Sequence, residues 1–309
     1  MLSYRHAFHA GNHADVLKHF VLVDLLRYLG QKDKPYWYID THAGAGKYGL
    51  EDAVANKLAE YKTGIATCLG QEDTPPAVQP YIDAIASLNG GSKLRFYPGS
   101  PWLAMHFARE QDRLRLFELH PTDFPILARH FEKYGRQAQV VRTDGFAALK
   151  ALLPPPSRRA LVLIDPSYET RADYAQIISV VKDGLARFPS CTFAIWYPCL
   201  SRIEAKELPG RLKKLAPCWL NVALQVCAPS NDGFGMFGSG MFIINPPWTL
   251  NTTLQEVMPW LQAKLGQDER AGFVLEYEDG ETAKKAAPAV DPDELVLQSR
   301  KTKKRGATK

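Results

Sequence analysis

Short apolar runs alternate with longer amphipathic stretches through most of this chain. The runs at 36–39, 114–119, 139–141, 160–164, 191–197, 219–226 and 241–244 predict seven strands. Between them the patterning predicts helices over 102–111, 123–134, 172–188 and 204–215. Near-continuous apolar strands alternating with helices predict a mostly parallel sheet covered on both faces, an α/β fold. No strong helix separates the final two runs, so these are expected to pair antiparallel. No internal repeat is present.

The rhythm breaks between Gly46 and Tyr97. Two helical patterns, roughly 51–69 and 76–88, stand where one helix and the next strand should be. A structureless loop of that length would be unusual in a compact domain. A small helical insertion is the better reading. The expected organisation is a main domain of residues 1–46 and 97–279, an inserted helical subdomain at 47–96, and a tail at 280–309.

Composition narrows the class. Apolar residues make up 46% of the 309 residues and charged ones 23%, which is ordinary globular usage. A chain this long can bury a large core without disulfides or a metal. Its beginning lacks an apolar stretch of secretory type, and no window approaches a membrane span. Five cysteines, Cys68, Cys191, Cys199, Cys218 and Cys227, include no C-x-x-C spacing. That argues against a disulfide framework or thiolate zinc site and fits a reducing cytoplasm. The net charge of +5 is concentrated at the end of the chain. From Gly280 onward there are eight Lys/Arg and four Asp/Glu, so the body carries almost none of the excess. The end reads as a disordered basic extension, either solubilising or able to contact polyphosphate.

The candidate chemistry lies at strand ends. The first strand runs into Asp40 and a loop with Gly44 and Gly46. Such glycines allow close backbone approach to a ligand, and a nearby acid can hold a ribose or an amine. Tight packing alone also explains them. The spacing Gly44, Gly46, Gly49 does not satisfy G-x-G-x-x-G. Thr41 and Tyr48 break the Walker pattern, so a ligand without phosphates fits better. Glu118 ends the second run, where ribose hydroxyls are typically received, and Asp144–Gly145 follow the third. Acids at successive strand ends converge on one crevice in an open α/β sheet.

The fourth run ends Ile-Asp-Pro-Ser-Tyr, with Asp165, Pro166 and Tyr168 emerging from a strand. This is similar to the acid-or-amide, Pro, Pro, aromatic motif of amino-methyltransferases that use S-adenosylmethionine. In that motif, the acid and a proline carbonyl bond the target amine and the aromatic stacks on the base. Adenine's exocyclic amine is a poor nucleophile because its lone pair is delocalised into the ring. Two acceptors can orient its N–H bonds and favour attack. Ser167 replaces the usual second proline. A rival, Asn245-Pro246-Pro247-Trp248, keeps both prolines. Position favours Asp165, beside the glycine loop, over Asn245, which follows the last predicted strand at the expected far edge of the sheet. The beginning is rich in histidine, at His6, His9, His13, His19 and His42. No acid or cysteine is arranged to complete a metal site. Tyr4, Arg5, His6 and Lys18 are better read as rings and cations for stacking or phosphate contact. The bland alternative is a first helix capped near Asn12 or Asp15.

Taken together, the stretches LSYRHAFHAGNHADVLKH, DTHAGAGKY, YPGSP, ELHP, SRRALVLIDPSYE and NPPW resemble those of the bacterial 23S ribosomal RNA adenine-N(6) methyltransferases, over about residues 1–265. The resemblance implies a class I Rossmann-like methyltransferase fold with a small helical insertion. It implies S-adenosylmethionine as cofactor, contacted by His19, His42, Ser100, Glu118, Asp144, Gly145 and Asp165, with Lys18 added. It implies Asp165 as the catalytic acid, with Pro166 and Tyr168 completing the motif, and Tyr4 as an RNA-side contact beside Arg5 and His6. The expected partner is 23S ribosomal RNA before full ribosome assembly, met by a cytoplasmic monomer. The chemistry alone equally allows a DNA adenine methyltransferase, since a flipped adenine presents the same amine in either polymer. A non-catalytic nucleic-acid binder on the same fold is the third reading. A nicotinamide dehydrogenase is disfavoured by the failed glycine motif.

Overall fold

The computed structural model describes residues 6–51 and 57–280. Helix α1 (His13–Gly30) leads into strand β1 (Trp37–Asp40). Strand β2 (Lys47–Gly49), helix α2 (Gln79–Asn89) and strand β3 (Phe96–Pro98) follow. The chain then alternates through α3 (Ser100–Phe107), β4 (Arg113–Phe117), α4 (Asp123–Phe131), β5 (Ala138–Val141), α5 (Gly145–Leu152), β6 (Ala160–Ile164), α6 (Arg171–Arg187), β7 (Thr192–Cys199) and α7 (Ile203–Lys213). Strands β8 (Cys218–Gln225) and β9 (Gly238–Ile244), helix α8 (Leu250–Leu265) and strand β10 (Gly272–Asp279) complete the described fold.

One sheet holds eight of these strands in the order β10-β8-β9-β7-β6-β1-β4-β5. The run β7-β6-β1-β4-β5 is parallel, and β9, β8 and β10 each pair antiparallel to a neighbour. This is the class I Rossmann-like methyltransferase architecture expected from the sequence. The antiparallel pairing of the last two expected strands is also present. The expected seven strands become eight because β10 was not legible. None of its residues is fully buried, and its short apolar stretch Phe273-Val274-Leu275 gives way at once to Glu276, Glu278 and Asp279.

Strand alternation divides the core in two. On β1, Tyr38 joins an apolar cluster with Leu17 of α1, Leu103 of α3, Leu127 of α4 and Leu254 of α8. Its neighbour Ile39 joins Phe146 of α5, Ile177 of α6 and Leu208 of α7 on the opposite face. All five residues of β6 are buried. Each large apolar side chain so buried contributes about 1.5–3 kcal/mol before the entropy of ordering is counted. Helix α1 is buried around most of its circumference, as expected of a helix clad on several sides. Asn12 caps it, accepting from the Ala14 and Asp15 N–H groups at 3.0 Å, a contact worth about 1 kcal/mol.

Residues 47–96 depart from the expected two helices. Strands β2 and β3 pair antiparallel with Tyr48 opposite Tyr97. Helix α2 fulfils the second pattern. The 51–69 pattern contains short 3-10 turns at Glu60–Lys62 and Ile65–Cys68, because Ala59 takes a left-handed φ of 51° and ends any continuous helix before them. Residues 52–56 of that stretch lie outside the described residues. The Ile65 N–H bonds the Gly11 carbonyl at 2.8 Å, fastening this segment to the start of α1. The chain leaves the described fold after β10, whose Asp279 pairs with Cys218 at the sheet end opposite the parallel strands' C-terminal ends. The basic stretch 281–309 lies outside the described residues.

Candidate active site

The carboxyl ends of β6, β1, β4 and β5 open onto one cavity of about 510 Å³, within the usual size of small-molecule sites. It lies where strand order reverses, β4 and β5 being wound to one side of β1 and β6 and β7 to the other, the place where open α/β sheets bind ligands. The described residues that the resemblance assigned to the site all line it: His6, Lys18, His19, His42, Ser100, Glu118, Asp144, Gly145, Asp165, Pro166 and Tyr168. Tyr4 and Arg5 lie outside the described residues.

The β4–β5 side is a carboxylate shelf. Glu118 accepts the Gly44 N–H at 2.7 Å on one oxygen and the His120 N–H at 2.6 Å on the other. Burial pushes its carboxyl above the ordinary range, and those two donors oppose the rise. Gly44 has a φ of 59°, and a Cβ there would overlap the Tyr48 hydroxyl at 2.3 Å. A Cβ on Gly46 would meet Leu127 at 2.9 Å. These glycines therefore serve packing and present an N–H to Glu118, as the packing reading of the loop allows. Asp144 caps α5, accepting the Phe146 N–H at 2.9 Å. Gly145 sits so close to the β1 loop that a Cβ would overlap the Thr41 carbonyl at 2.3 Å. The His42 ring stands edge-on to Phe146 at 4.9 Å. Burial lowers the pKa of His42 to about 4 and that of His19 to about 3, so both rings are neutral near pH 7. His19 Nδ1 is hydrogen-bonded to the Tyr97 hydroxyl at 2.8 Å.

The β6 side is an ion-pair chain. Lys18 donates to Asp165 Oδ2 at 2.6 Å and lies 2.9 Å from Asp15 Oδ1. Asp15 Oδ2 takes the Gly11 N–H and faces His6 Nε2, both at 2.9 Å. Asp165 Oδ1 has no hydrogen bond among the described residues, so one oxygen of the strand-end acid is fixed and the other stays available. Tyr168 has a φ of 53°. Its ring packs between Tyr174 and Trp196, and its hydroxyl donates to the Trp196 carbonyl. With 3% of its surface exposed it forms a wall of the cavity rather than a free platform. Asp40 does not reach the ligand space as the sequence reading allowed. It is wholly buried and receives the Tyr38 hydroxyl, the Ser100 hydroxyl and the His42 N–H. Burial raises its pKa to about 6, against the pull of those donors. The three acids at strand ends on the cavity are Glu118, Asp144 and Asp165.

Residues 33–277 match the family model described as ribosomal RNA large subunit methyltransferase D, RlmJ. The chain belongs to this family. It is 47% identical over 268 residues to Ribosomal RNA large subunit methyltransferase J of Escherichia coli strain K12, covering 86% of this chain and 94% of that one. It is 43% identical over 281 residues to the protein of the same name from Haemophilus influenzae, covering 90% and 99%. The crystal structure of protein LPL1258 from Legionella pneumophila superimposes with a TM-score of 0.80 at 37% identity, covering 87% of this chain and 98% of that one.

Within this RlmJ-family fold the rival motif has a different place from the one expected. Strand β9 is not at the sheet edge; it lies between β7 and β8. It runs antiparallel to β7, so Asn245 emerges at the end of the sheet opposite Asp165. Its side-chain amide donates to the Pro189 and Cys191 carbonyls, both at 2.8 Å. Strand direction, not edge position, removes Asn245 from the cavity. Sequence reading also missed several lining groups, Trp196 and Asp15 among them. Trp196 reads as core because it sits inside the apolar run of β7. Asp15 was weighed only as a cap, though its i, i+3 spacing to Lys18 on α1 was the available signal.

Proposed function

We propose that this chain transfers a methyl group from S-adenosylmethionine to the exocyclic amine of one adenine in 23S ribosomal RNA. The names of the two curated relatives support ribosomal RNA as the substrate class. The lining chemistry supports the cofactor. Asp15, Glu118, Asp123, Asp144, Asp165 and Asp173 all border the cavity, and apart from histidines Lys18 is the single cation among the described lining residues. Such a site repels a dinucleotide's phosphates and suits a ligand carrying a sulfonium and an ammonium. Glu118, with both oxygens oriented by backbone donors, would receive the ribose hydroxyls. Asp144 and Gly145, His19, His42 and Lys18 would border the remainder. The Ser100 hydroxyl, its proton committed to Asp40, would act there as an acceptor.

The observation that carries the reading is the Asp165–Pro166 turn, at the carboxyl end of β6, with one carboxylate oxygen pinned by Lys18 and the other unbonded among the described residues. When bound, S-adenosylmethionine supplies an electrophilic methyl carbon on sulfur. Asp165 Oδ1 and the Pro166 carbonyl would each accept one N–H of the adenine amine. That orientation turns the nitrogen lone pair out of conjugation and toward the methyl carbon. Lys18 holds Asp165 in place as the amine gains positive charge, and the proton that the amine gives up would pass to water in the cavity. Tyr168 would hold the turn and close the wall beside the base. His6, with Tyr4 and Arg5 preceding it, would face the RNA. A duplex adenine cannot reach such a cavity without leaving its stack, so an unpaired or flipped base in RNA not yet enclosed by the ribosome is the expected substrate.

Labelled S-adenosylmethionine offered with protein-free 23S ribosomal RNA, and separately with duplex DNA, tests this. The expected result is N6-methyladenosine in the RNA alone. Label in DNA and none in RNA would assign the activity to the DNA reading. Cofactor binding without transfer to any adenine would support the non-catalytic reading.

A further inference from the structure

The cavity has a second rim, built by the loop between β8 and β9. That loop rises at the same sheet end as Asp165, because β8 runs antiparallel to β9 and β9 antiparallel to β7. Its base is anchored. The Phe237 N–H bonds the Cys199 carbonyl at 3.1 Å, and the Ala228 N–H bonds Asp268 at 2.8 Å. Met236 reaches the cavity lining. Its tip is ordered too. Asp232 Oδ1 accepts from both the Ser230 hydroxyl at 2.6 Å and the Phe234 N–H at 2.9 Å, which ties one oxygen of the tip's carboxylate into the loop. Gly233 and Gly235, with φ of 74° and 88°, bracket Phe234. The result is an aromatic ring 80% exposed, more than any other large apolar side chain among the described residues.

A largely solvated phenyl ring on a built tip, two residues from the cavity lining, is an unused contact surface. The carboxylate shelf of Glu118 and Asp144 lies across β1 from it. Phe234 stands on the side of Asp165, where the target base would enter. We propose that Phe234 is a stacking platform for an unpaired nucleobase next to the target adenine in the substrate strand. This rests on the RNA-methylation reading above. An aromatic face takes any base, and one such stack is worth about 1–3 kcal/mol. Phe234 therefore contributes to RNA affinity and leaves cofactor binding and the chemical step alone.

The test measures steady-state and single-turnover methylation of protein-free 23S ribosomal RNA by the full chain and its Phe234 variants. Phe234→Ala should raise KM for RNA by roughly 5- to 150-fold, the equivalent of one lost stack. The single-turnover rate at saturating RNA, the S-adenosylmethionine affinity and the thermal midpoint should stay unchanged. Phe234→Tyr should keep the wild-type KM, and Phe234→Leu should behave like Phe234→Ala. An unchanged KM in Phe234→Ala, or full rescue by leucine, would overturn the platform while leaving the methylation reading intact. Unchanged KM with loss of self-association in sedimentation would assign the ring to a second copy of the chain instead. A wild-type chain that forms no N6-methyladenosine in RNA would overturn both.

Discussion

Lys18→Met takes one cation from between two carboxylates. The ammonium lies 2.9 Å from Asp15 Oδ1 and 2.6 Å from Asp165 Oδ2. Only 6% of the Lys18 side chain and 1% of the Asp15 side chain is exposed, whereas Asp165 is 15% exposed on the cavity. Water can therefore resolvate Asp165 but not Asp15. Removing one member of a buried pair leaves an uncompensated charge at a cost of about 3–5 kcal/mol. The Gly11 N–H and His6 remain on Asp15, which puts the expected loss near the lower bound, about 3 kcal/mol. Burial pushes the Asp15 carboxyl up, but His6 and Lys18 beside it outweigh that and hold the carboxyl well below its usual range. Burial pushes the Lys18 amine down, and Asp15 and Asp165 outweigh it upward. A depressed carboxyl stabilises above its unfolded pKa of about 3.9 and loses that as pH falls through its folded value. A raised amine stabilises below about 10.4 and loses that as pH rises through its folded value. The wild-type advantage should therefore be level between about pH 5 and 9 and shrink in stronger acid. Urea unfolding with linear extrapolation at pH 7 and pH 3 measures it. A variant within about 1 kcal/mol of wild type at pH 7, the range of an exposed pair, would refute the reasoning.

Three further substitutions separate cofactor binding, chemistry and scaffold. Asp165→Ala should slow single-turnover methyl transfer by roughly 100- to 1000-fold, the scale for one preorganised partner of a reacting group, with a much smaller loss of cofactor affinity. Near wild-type transfer would remove Asp165 from the chemistry. Glu118→Ala should weaken S-adenosylmethionine binding by about 1.5–3 kcal/mol by calorimetry, the value of a charged hydrogen bond, and unchanged affinity would reject its assignment. Asn245→Ala should retain most methyl transfer but lower stability by about 2–4 kcal/mol. It loses two amide hydrogen bonds at 2.8 Å and forces alanine to a φ of 53°. Abolished turnover in the folded variant would transfer the catalytic role to Asn245.

The parts of the fold carried by local patterning were legible. The buried run of β6 announces itself because a central parallel strand is apolar on both faces, and the Asp-Pro-Ser-Tyr turn after it stands out against that run. β10 was not legible because its pairing with β8 needs only one half-buried face. The 51–69 pattern is apolar enough for a helix, yet the left-handed turn at Ala59, which no residue type announces, cuts it. Within the site, Glu118 and Asp165 are strand-end acids whose role follows from topology. Asp40 occupies an equivalent position, but Tyr38 and Ser100 consume it, and only three-dimensional packing reveals those partners. The two proline-aromatic motifs differ less in sequence than in strand direction. No local pattern fixes that β9 runs against β7. Asn245 is thereby turned away from the cavity, leaving Trp248 74% exposed at the far end of the sheet.

The most direct test of the central claim is nucleoside mass spectrometry of 23S ribosomal RNA from cells that lack this protein. The RNA from parent cells, from deleted cells and from deleted cells supplied with Asp165→Ala is digested and compared. The account predicts one N6-methyladenosine in the parent RNA, its absence after deletion, and no restoration by Asp165→Ala. An unchanged N6-methyladenosine content after deletion would contradict it.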